Sequence, residues 1–382
     1  MPYHHFEVEF QHVSKKPGNP CGDTFLCKRT IYHTTLICAD GVGSGVRAHV
    51  AARMNTARLA ALLQSGMSLR DAFLSVVATM NQWRDGTKPF TAFLVARILN
   101  DGALTALGYE MPPPLFLGTK EAHVLEAHPL VIPAGVAHEY HGQLDPGDGL
   151  VLVSDGITQA GIGRSFPMGW GSDGVEEFLR GWAGRGRPLR FVVRDILRQA
   201  QEHDGPVNGD DKTVAVISCR QGQVVDLLTG PALDRARDMA LVHDFLGREG
   251  LKVVCGATTA DIVARCAQET LEVEQKPVSY STPPRYFIEG IDLVTEGAVT
   301  LNQVYNILGE DLEHDSDQSA AADLALLLKG ADRVNFMVGR AKNPANKDLS
   351  YRKQGILPRA TIIPLIAAKL EHMGKLVSVQ EN

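Results

Sequence analysis

The chain reads as an α+β protein in two parts: layered antiparallel strands with paired helices, then a smaller α/β region on a parallel sheet. Three observations carry this reading. Strand-like runs up to about residue 220 come in groups, separated by pairs of helices, which suits antiparallel sheets covered by helices better than alternating βαβ units. Beyond VVDLLTGPALDRARDM, strands and helices alternate, the pattern of a parallel sheet. And 382 residues, 44% of them hydrophobic, are enough for two cores. The boundary is expected near residue 230, at the Gly230-Pro231 break, giving regions 1–230 and 231–382.

In the first region, HFEVEF, TFLCK and the β-branched run IYHTTLICAD read as strands. A helix follows with Val50, Met54, Ala57 and Ala61 on one face, and a second with Leu69, Phe73, Val76, Val77 and Met80; both faces are expected to pack on a sheet. TAFLVARIL, ALTALGY, LFLG and LVLVSDG are further strands, each bounded by Gly, Pro, Asn or Asp. Helices are expected over about 173–181 and 189–202, before the strand TVAVISC. In the second region VVCG, RYFIEGIDLV, RVNFMVG and KLVSVQ read as buried strands, and Met239, Leu241, Val242, Phe245 and Leu246 mark an amphipathic helix.

Composition removes several classes of function. The net charge is −6 and no dense Lys/Arg run stands out, so the electrostatic footprint of a nucleic-acid binder is missing. No stretch reaches the roughly 18 apolar residues that span a bilayer, and the opening residues lack a basic-then-apolar leader, so a cytoplasmic protein without a membrane partner is expected. Six cysteines without a Cys-x-x-Cys pair argue against a zinc site or a disulfide framework.

Four aspartates of the first region sit at strand ends or turns: Asp23 in CGDTF, Asp40 in ADGVGSG, Asp155 in VSDGIT and Asp210 in GDDKT. Brought together, they would form an oxygen-rich cluster that repels itself unless a hard cation such as Mg²⁺ or Mn²⁺ neutralises it. Gly41 and Gly156 follow two of them, where a missing side chain lets backbone approach an ion. Taken singly, each Asp-Gly pair is also ordinary turn chemistry.

As a set, Gly-Asp, then Asp-Gly-x-Gly-x-Gly opening a helix, then Ser-Asp-Gly after an apolar strand, then Asp-Asp-x-Thr starting a strand, resembles the PPM (protein phosphatase 2C) superfamily. Its SpoIIE-type branch is the nearer likeness, through TAFLVARI and GYEMPPPLFL, over roughly residues 5–220. The resemblance implies an α-β-β-α sandwich and a serine/threonine phosphatase that acts on a bacterial regulatory protein, with two divalent cations, Mn²⁺ or Mg²⁺. Asp40 would bridge the metals with the Gly41 carbonyl on one, Asp155 and Asp210 would hold the other, and Asp23 would hold waters of the first. Asp211 would substitute for or support Asp210, and Thr213 would fix the turn. Two metals roughly 3.5–4 Å apart activate water for in-line attack, which needs no side-chain nucleophile. Consistent with this, the chain has no Gly-x-Ser-x-Gly elbow. Val42 stands where many eukaryotic members place a histidine, so that general acid is missing. The alternative is a binding protein that keeps the fold as a scaffold.

Rival readings are weaker. Gly41-Val42-Gly43-Ser44-Gly45 misplaces the third glycine of a dinucleotide fingerprint and sets Asp40 against the pyrophosphate. His138 and His141 lie in a loop-like stretch with no second ligand pair, and Trp83, Trp170 and Trp182 read as packing residues. In the second region, Thr258 and Thr259 either cap a helix or face an anion. Asp292, Glu296, Arg340, Lys342 and Asn343 are expected near the converging strand ends where parallel α/β sheets bind ligands. A small anionic or polar ligand is expected there, with a regulatory role.

Overall fold

The computed structural model describes residues 3–82, 90–132, 135–273, 286–310, 319–341 and 355–382. The chain forms two compact units, His4–Gln221 and Gly222–Asn382, the latter joined by Tyr3. The second unit therefore begins before the expected boundary near residue 230. The physical reason is that VVDLLT, which precedes the Gly-Pro break, pairs with strands on both sides in the second sheet.

The first unit has two antiparallel sheets. One holds, in spatial order, β1 (His4–Val13), β11 (Lys212–Gln221), β10 (Gly149–Val153), β6 (Leu115–Leu117) and β7 (Ala122–Val124). The other holds β2 (Asp23–Arg29), β3 (His33–Gly41), β4 (Thr91–Leu99), β5 (Ala103–Tyr109), β9 (Gly135–Gln143) and β8 (His128–Ile132). Phe6, Leu36, Leu94, Ile98, Leu150 and Ile217 pack between the sheets. Helices α1 (Val46–Gln64) and α2 (Leu69–Gln82) cover one outer face. On the other lie α4 (Gly171–Trp182) and α5 (Val192–Asp204), with the short α3 (Asp155–Thr158). The result is an α-β-β-α sandwich, as the sequence implies.

Two local expectations fail. Although Leu69, Phe73, Val76, Val77 and Met80 of α2 are buried, Val50 and Met54 of α1 are 48% and 62% exposed. The buried side of α1 is instead Ala48, Ala51, Ala52, Asn55, Thr56 and Leu59. Close approach explains this: a Cβ on Gly41 would lie 2.2 Å from the Ala48 carbonyl oxygen, so the helix backbone sits almost on the strand and small residues must face it. Second, His138 and His141 lie in β9, not in a loop. Three residues apart on a strand, they point to opposite faces and cannot share an ion. Trp170 and Trp182 are packing residues as expected, whereas Trp83 lies outside the described residues.

The second unit has one seven-stranded sheet. Five strands are parallel, in the order β16 (Leu293–Thr295), β13 (Leu251–Cys255), β12 (Val224–Thr229), β17 (Arg333–Val338) and β18 (Leu376–Glu381). The short β14 (Glu272–Val273) and β15 (Tyr286–Phe287) add antiparallel at one edge, so the sheet is mixed and not purely parallel. RYFIEGIDLV, read as one strand, is split into β15 and β16 by a turn through Gly290 (φ 79°). Helices α6 (Asp238–Leu246) and α7 (Ala257–Ala267) cover one face. The other is covered by α8 (Ala298–Ile307), α9 (Ala320–Gly330) and α10 (Arg359–His372). Among the described residues no helix is long and apolar enough to cross a membrane.

Candidate metal centre

The sandwich brings the predicted aspartates to one end of its two sheets. Asp23 opens β2 and Asp40 is the last residue but one of β3, and antiparallel register sets them directly opposite each other. Asp155 opens α3 just after β10, and Asp210 and Asp211 lead into β11. These two segments are locked together: the Ser154 N–H donates to the Thr213 carbonyl (3.0 Å) and the Thr213 N–H donates to Ser154 Oγ (2.9 Å). The Thr213 backbone, not its hydroxyl, makes this junction. A Cβ on Gly156 would lie 1.9 Å from the Asp211 carbonyl oxygen, so this glycine is required for contact between the two acidic segments.

Asp210 and Asp211 separate into different roles. Asp211 is 3% exposed, and its two carboxylate oxygens accept from the backbone N–H groups of Lys15 (2.6 Å) and Gly22 (2.9 Å). It ties the β1–β2 connection to β11. Asp210 is partly exposed, with one oxygen accepting from the Asp211 N–H (2.9 Å) and 3.6 Å from Lys15 Nζ. Asp210 is thus less engaged by the surrounding backbone than Asp211.

The electrostatics are those of an under-neutralised cluster. Asp40 is pushed up to about 10 by burial, then by the charges of Asp23 and Asp155. Asp23 is pushed up to about 6 by burial, opposed in part by the nearby Ser154 and Thr213 hydroxyls. Asp210 is also raised, by burial first. Asp23 is 2% exposed, and neither of its oxygens has a well-formed hydrogen bond. An orphaned buried carboxylate beside a second one that resists ionisation suits a divalent cation, which would supply the missing partner. The all-oxygen donor set fits Mg²⁺ or Mn²⁺. Among the described residues, however, no group of three or more His, Cys, Asp or Glu side chains is disposed, as it stands, to hold a metal ion.

The nearby thiols are held protonated. Burial pushes Cys21 up to about 12 and Cys38 well above the ordinary thiol value, so neither is a thiolate near neutral pH.

A buried ion pair supports the site. Lys212, 1% exposed, donates from Nζ to the Asp204 carboxylate at 2.5 Å, and Asp204 also accepts from the Gly161 (2.7 Å) and Gly209 (2.8 Å) N–H groups. Asp204 therefore braces both the segment after α3 and the turn that presents Asp210. These hydrogen bonds and Lys212 overcome the effect of burial, leaving its carboxyl below the ordinary value. Removing one partner of a buried pair strands the other, at a cost of about 3–5 kcal/mol. Asp204→Ala is expected to lower the thermal midpoint by several degrees and weaken metal uptake, measured by calorimetry. Asp204→Asn with Lys212→Met should lose less stability than Asp204→Ala alone. Sequence reading missed this pair; a lysine inside GDDKT, next to a strand, was the available signal.

In the second unit the expected ligand-site residues do not gather. Asp292 precedes β16, at the amino end of the parallel strands, where its carboxylate accepts from the Lys252 N–H (2.6 Å). Neither Thr258 nor Thr259 caps α7, whose N-cap is Gly256; the Thr259 hydroxyl accepts instead from the Gly230 N–H (2.8 Å). Glu296 accepts from the Val299 N–H (3.2 Å), and Arg340 stands 3.4 Å from Glu381. Lys342 and Asn343 lie outside the described residues.

Comparison with known proteins bears on the family and fold of the first unit. The family model for stage II sporulation protein E (SpoIIE) matches residues 32–220. Among solved structures, the chain resembles the PP2C phosphatase domain with a regulatory-domain fragment of the cell-fate determinant SpoIIE from Bacillus subtilis. That match has 18% identity and a TM-score of 0.50, over 58% of this chain and 65% of that one, so the chain spans less than two thirds of that structure. It also resembles the RsbU and RsbW domains of Rv1364c from Mycobacterium tuberculosis, at 17% identity and a TM-score of 0.49, over 69% of this chain and 73% of that one. No curated protein matches the sequence.

Proposed function

Because residues 32–220 form a SpoIIE-type domain of the PPM superfamily, we propose that the chain is a metal-dependent protein serine/threonine phosphatase acting on a phosphorylated bacterial regulatory protein. The observation that carries this reading is the buried, hydrogen-bond-starved Asp23 carboxylate beside Asp40, which also feels the charge of Asp155. Asp23, Asp40, the Gly41 carbonyl, Asp155 and Asp210 would hold two divalent cations, Mn²⁺ or Mg²⁺, and Asp211 keeps the structural role its two hydrogen bonds define. When bound, such cations neutralise phosphoryl oxygens and lower the pKa of water. The protein's own part would be to bring these oxygen donors to one end of the sheets and to keep the buried Asp23 carboxylate from bulk water. Lys15, partly exposed and 3.6 Å from Asp210, would meet an anionic substrate at the rim.

We further propose that the second unit takes a small anionic ligand as effector, at a place other than the residues expected from sequence. Its parallel strands run β16-β13-β12-β17-β18, so the connections leave β12 and β17 in opposite directions, and ligands of such sheets bind at the carboxyl ends beside that point. Gly230, with φ 84°, and Arg359, which donates to the Gly339 (2.6 Å) and Ala341 (3.0 Å) carbonyls, stand there.

The deciding experiment is hydrolysis of an aryl phosphate by the full chain during Mn²⁺ and Mg²⁺ titration. Activity is expected to rise saturably with either metal and to vanish in excess chelator. Full turnover in chelator would overturn the reading.

A further inference from the structure

Residues 185–198 carry five arginines, Arg185, Arg187, Arg190, Arg194 and Arg198, against one acid, Asp195. Glycine, proline and apolar residues separate them in sequence, which is why no basic run stands out on linear reading. Folding places them on the loop before α5, the 3₁₀ turn Leu189–Phe191 and the first half of α5. All five are exposed while Asp195 is buried.

Asp195 is already occupied. Its carboxylate accepts from Arg187 Nη1 (2.9 Å) and Trp182 Nε1 (3.2 Å), and Arg198 (3.7 Å) and Arg194 (3.8 Å) stand beside it. One carboxylate cannot balance this many guanidinium groups, so most of the positive charge is unmatched. Arg187, Arg190 and Arg194 also surround the Phe191 ring, at 5.8, 5.1 and 5.6 Å from its centre. The ring's negative face gathers like charges that would otherwise repel. The nearby acids do little to offset the ridge. Glu7 is paired with Arg220 (2.6 Å), and Glu202 lies 4.0 Å from Arg198. A cavity of about 350 Å³ flanks the ridge at Trp182, Arg187 and Arg190, with Glu7 and Glu9 on its far wall. A second, of about 580 Å³, lies between Arg194, Arg198, Gln11 and Val13.

We infer that this arginine ridge is a docking surface for an acidic protein segment, carried by the phosphoprotein substrate. The identification of the partner as substrate rests on the phosphatase reading; the acidic chemistry rests on the ridge. Helix α5 has 13 residues and so is about 20 Å long, and its last residue, Asp204, braces the turn that presents Asp210. The ridge thus begins at the opposite end of α5 from Asp204, so a substrate protein held there is gripped away from the residue that braces the Asp210 turn. A positive ridge on a chain of net charge −6 steers an acidic partner to this face and away from the rest of the surface. Glu9 and Glu202 at its borders, and its short extent, suit a short acidic segment better than a long nucleic-acid backbone.

The test uses the full chain and two fluorescein-labelled phosphothreonine peptides, one rich in glutamate and one with glutamine at those positions. Fluorescence anisotropy is expected to show the glutamate peptide binding about tenfold more tightly at low salt, with the advantage lost at high salt and in R190E/R194E. R190Q/R194Q should give an intermediate loss. Both variants should hydrolyse an aryl phosphate as the parent does, while their KM for the glutamate peptide rises. Equal binding of the two peptides, or an undiminished preference in R190E/R194E, would overturn the inference. So would tighter binding of a single-stranded oligonucleotide that the same substitutions abolish, which would assign the ridge to nucleic acid. If the parent fails to hydrolyse aryl phosphate, the phosphatase reading falls, and the anisotropy comparison still decides the docking surface.

Discussion

Asp40→Asn is expected to reduce aryl phosphate turnover on the order of 10³-fold or more, yet leave the metal-free protein at least as heat-stable as its parent. Charge stabilisation by a bound cation contributes several kcal/mol to such reactions, and each 1.4 kcal/mol or so is a factor of ten in rate. An amide keeps the shape of the carboxyl group but lacks its charge. The stability half of the expectation comes from the cluster itself. Burial and the charges of Asp23 and Asp155 disfavour ionised Asp40, so a neutral side chain there relieves a penalty. Asp155→Asn should show the same loss of turnover. Steady-state kinetics beside metal-free thermal melts would check both. A variant that loses activity because it unfolds would contradict the account, as would one that retains activity.

The metal-free protein should lose stability as pH rises, and metal should remove that dependence. An ordinary aspartate titrates near 3.8, whereas folded Asp40 is raised to about 10 and Asp23 to about 6. Between those limits the native state keeps protons that the unfolded chain has released. Stability from these groups is therefore fully present below the unfolded value and is lost as pH climbs through the folded ones. The metal-free thermal midpoint should fall between about pH 5 and pH 9, by less in Asp40→Asn. Saturating Mn²⁺ should flatten the curve by holding both carboxylates ionised in the folded state. Cation binding must then expel protons, so apparent metal affinity should rise with pH, and calorimetry in buffers of different ionisation enthalpy should detect their release. A metal-free midpoint that rises over this range would show that other groups govern stability.

Local sequence was enough to find the acidic positions and to place them at strand ends, because Asp-Gly turns and β-branched runs are short-range features. It was also enough for the α2 face, where large apolar residues at helical spacing leave one way to pack. It misjudged α1, because the contact that turns Val50 and Met54 outward is made by Gly41, a residue outside the helix. It could not tell Asp210 from Asp211, since the difference lies in the Lys15 and Gly22 N–H groups, nearly two hundred residues away in the chain. The Asp204–Lys212 pair was hidden because burial of a lysine depends on what packs around it. Asp292 was assigned to the wrong end of its strand, because a Gly290 turn shortens the run from which that end was read. What the sequence by itself determined was on which kind of element the acidic residues sit, since this follows from residue type and period. What only the tertiary structure decided was which of them meet, which are already satisfied and which are left without a partner, because burial and long-range hydrogen bonding are properties of the folded chain.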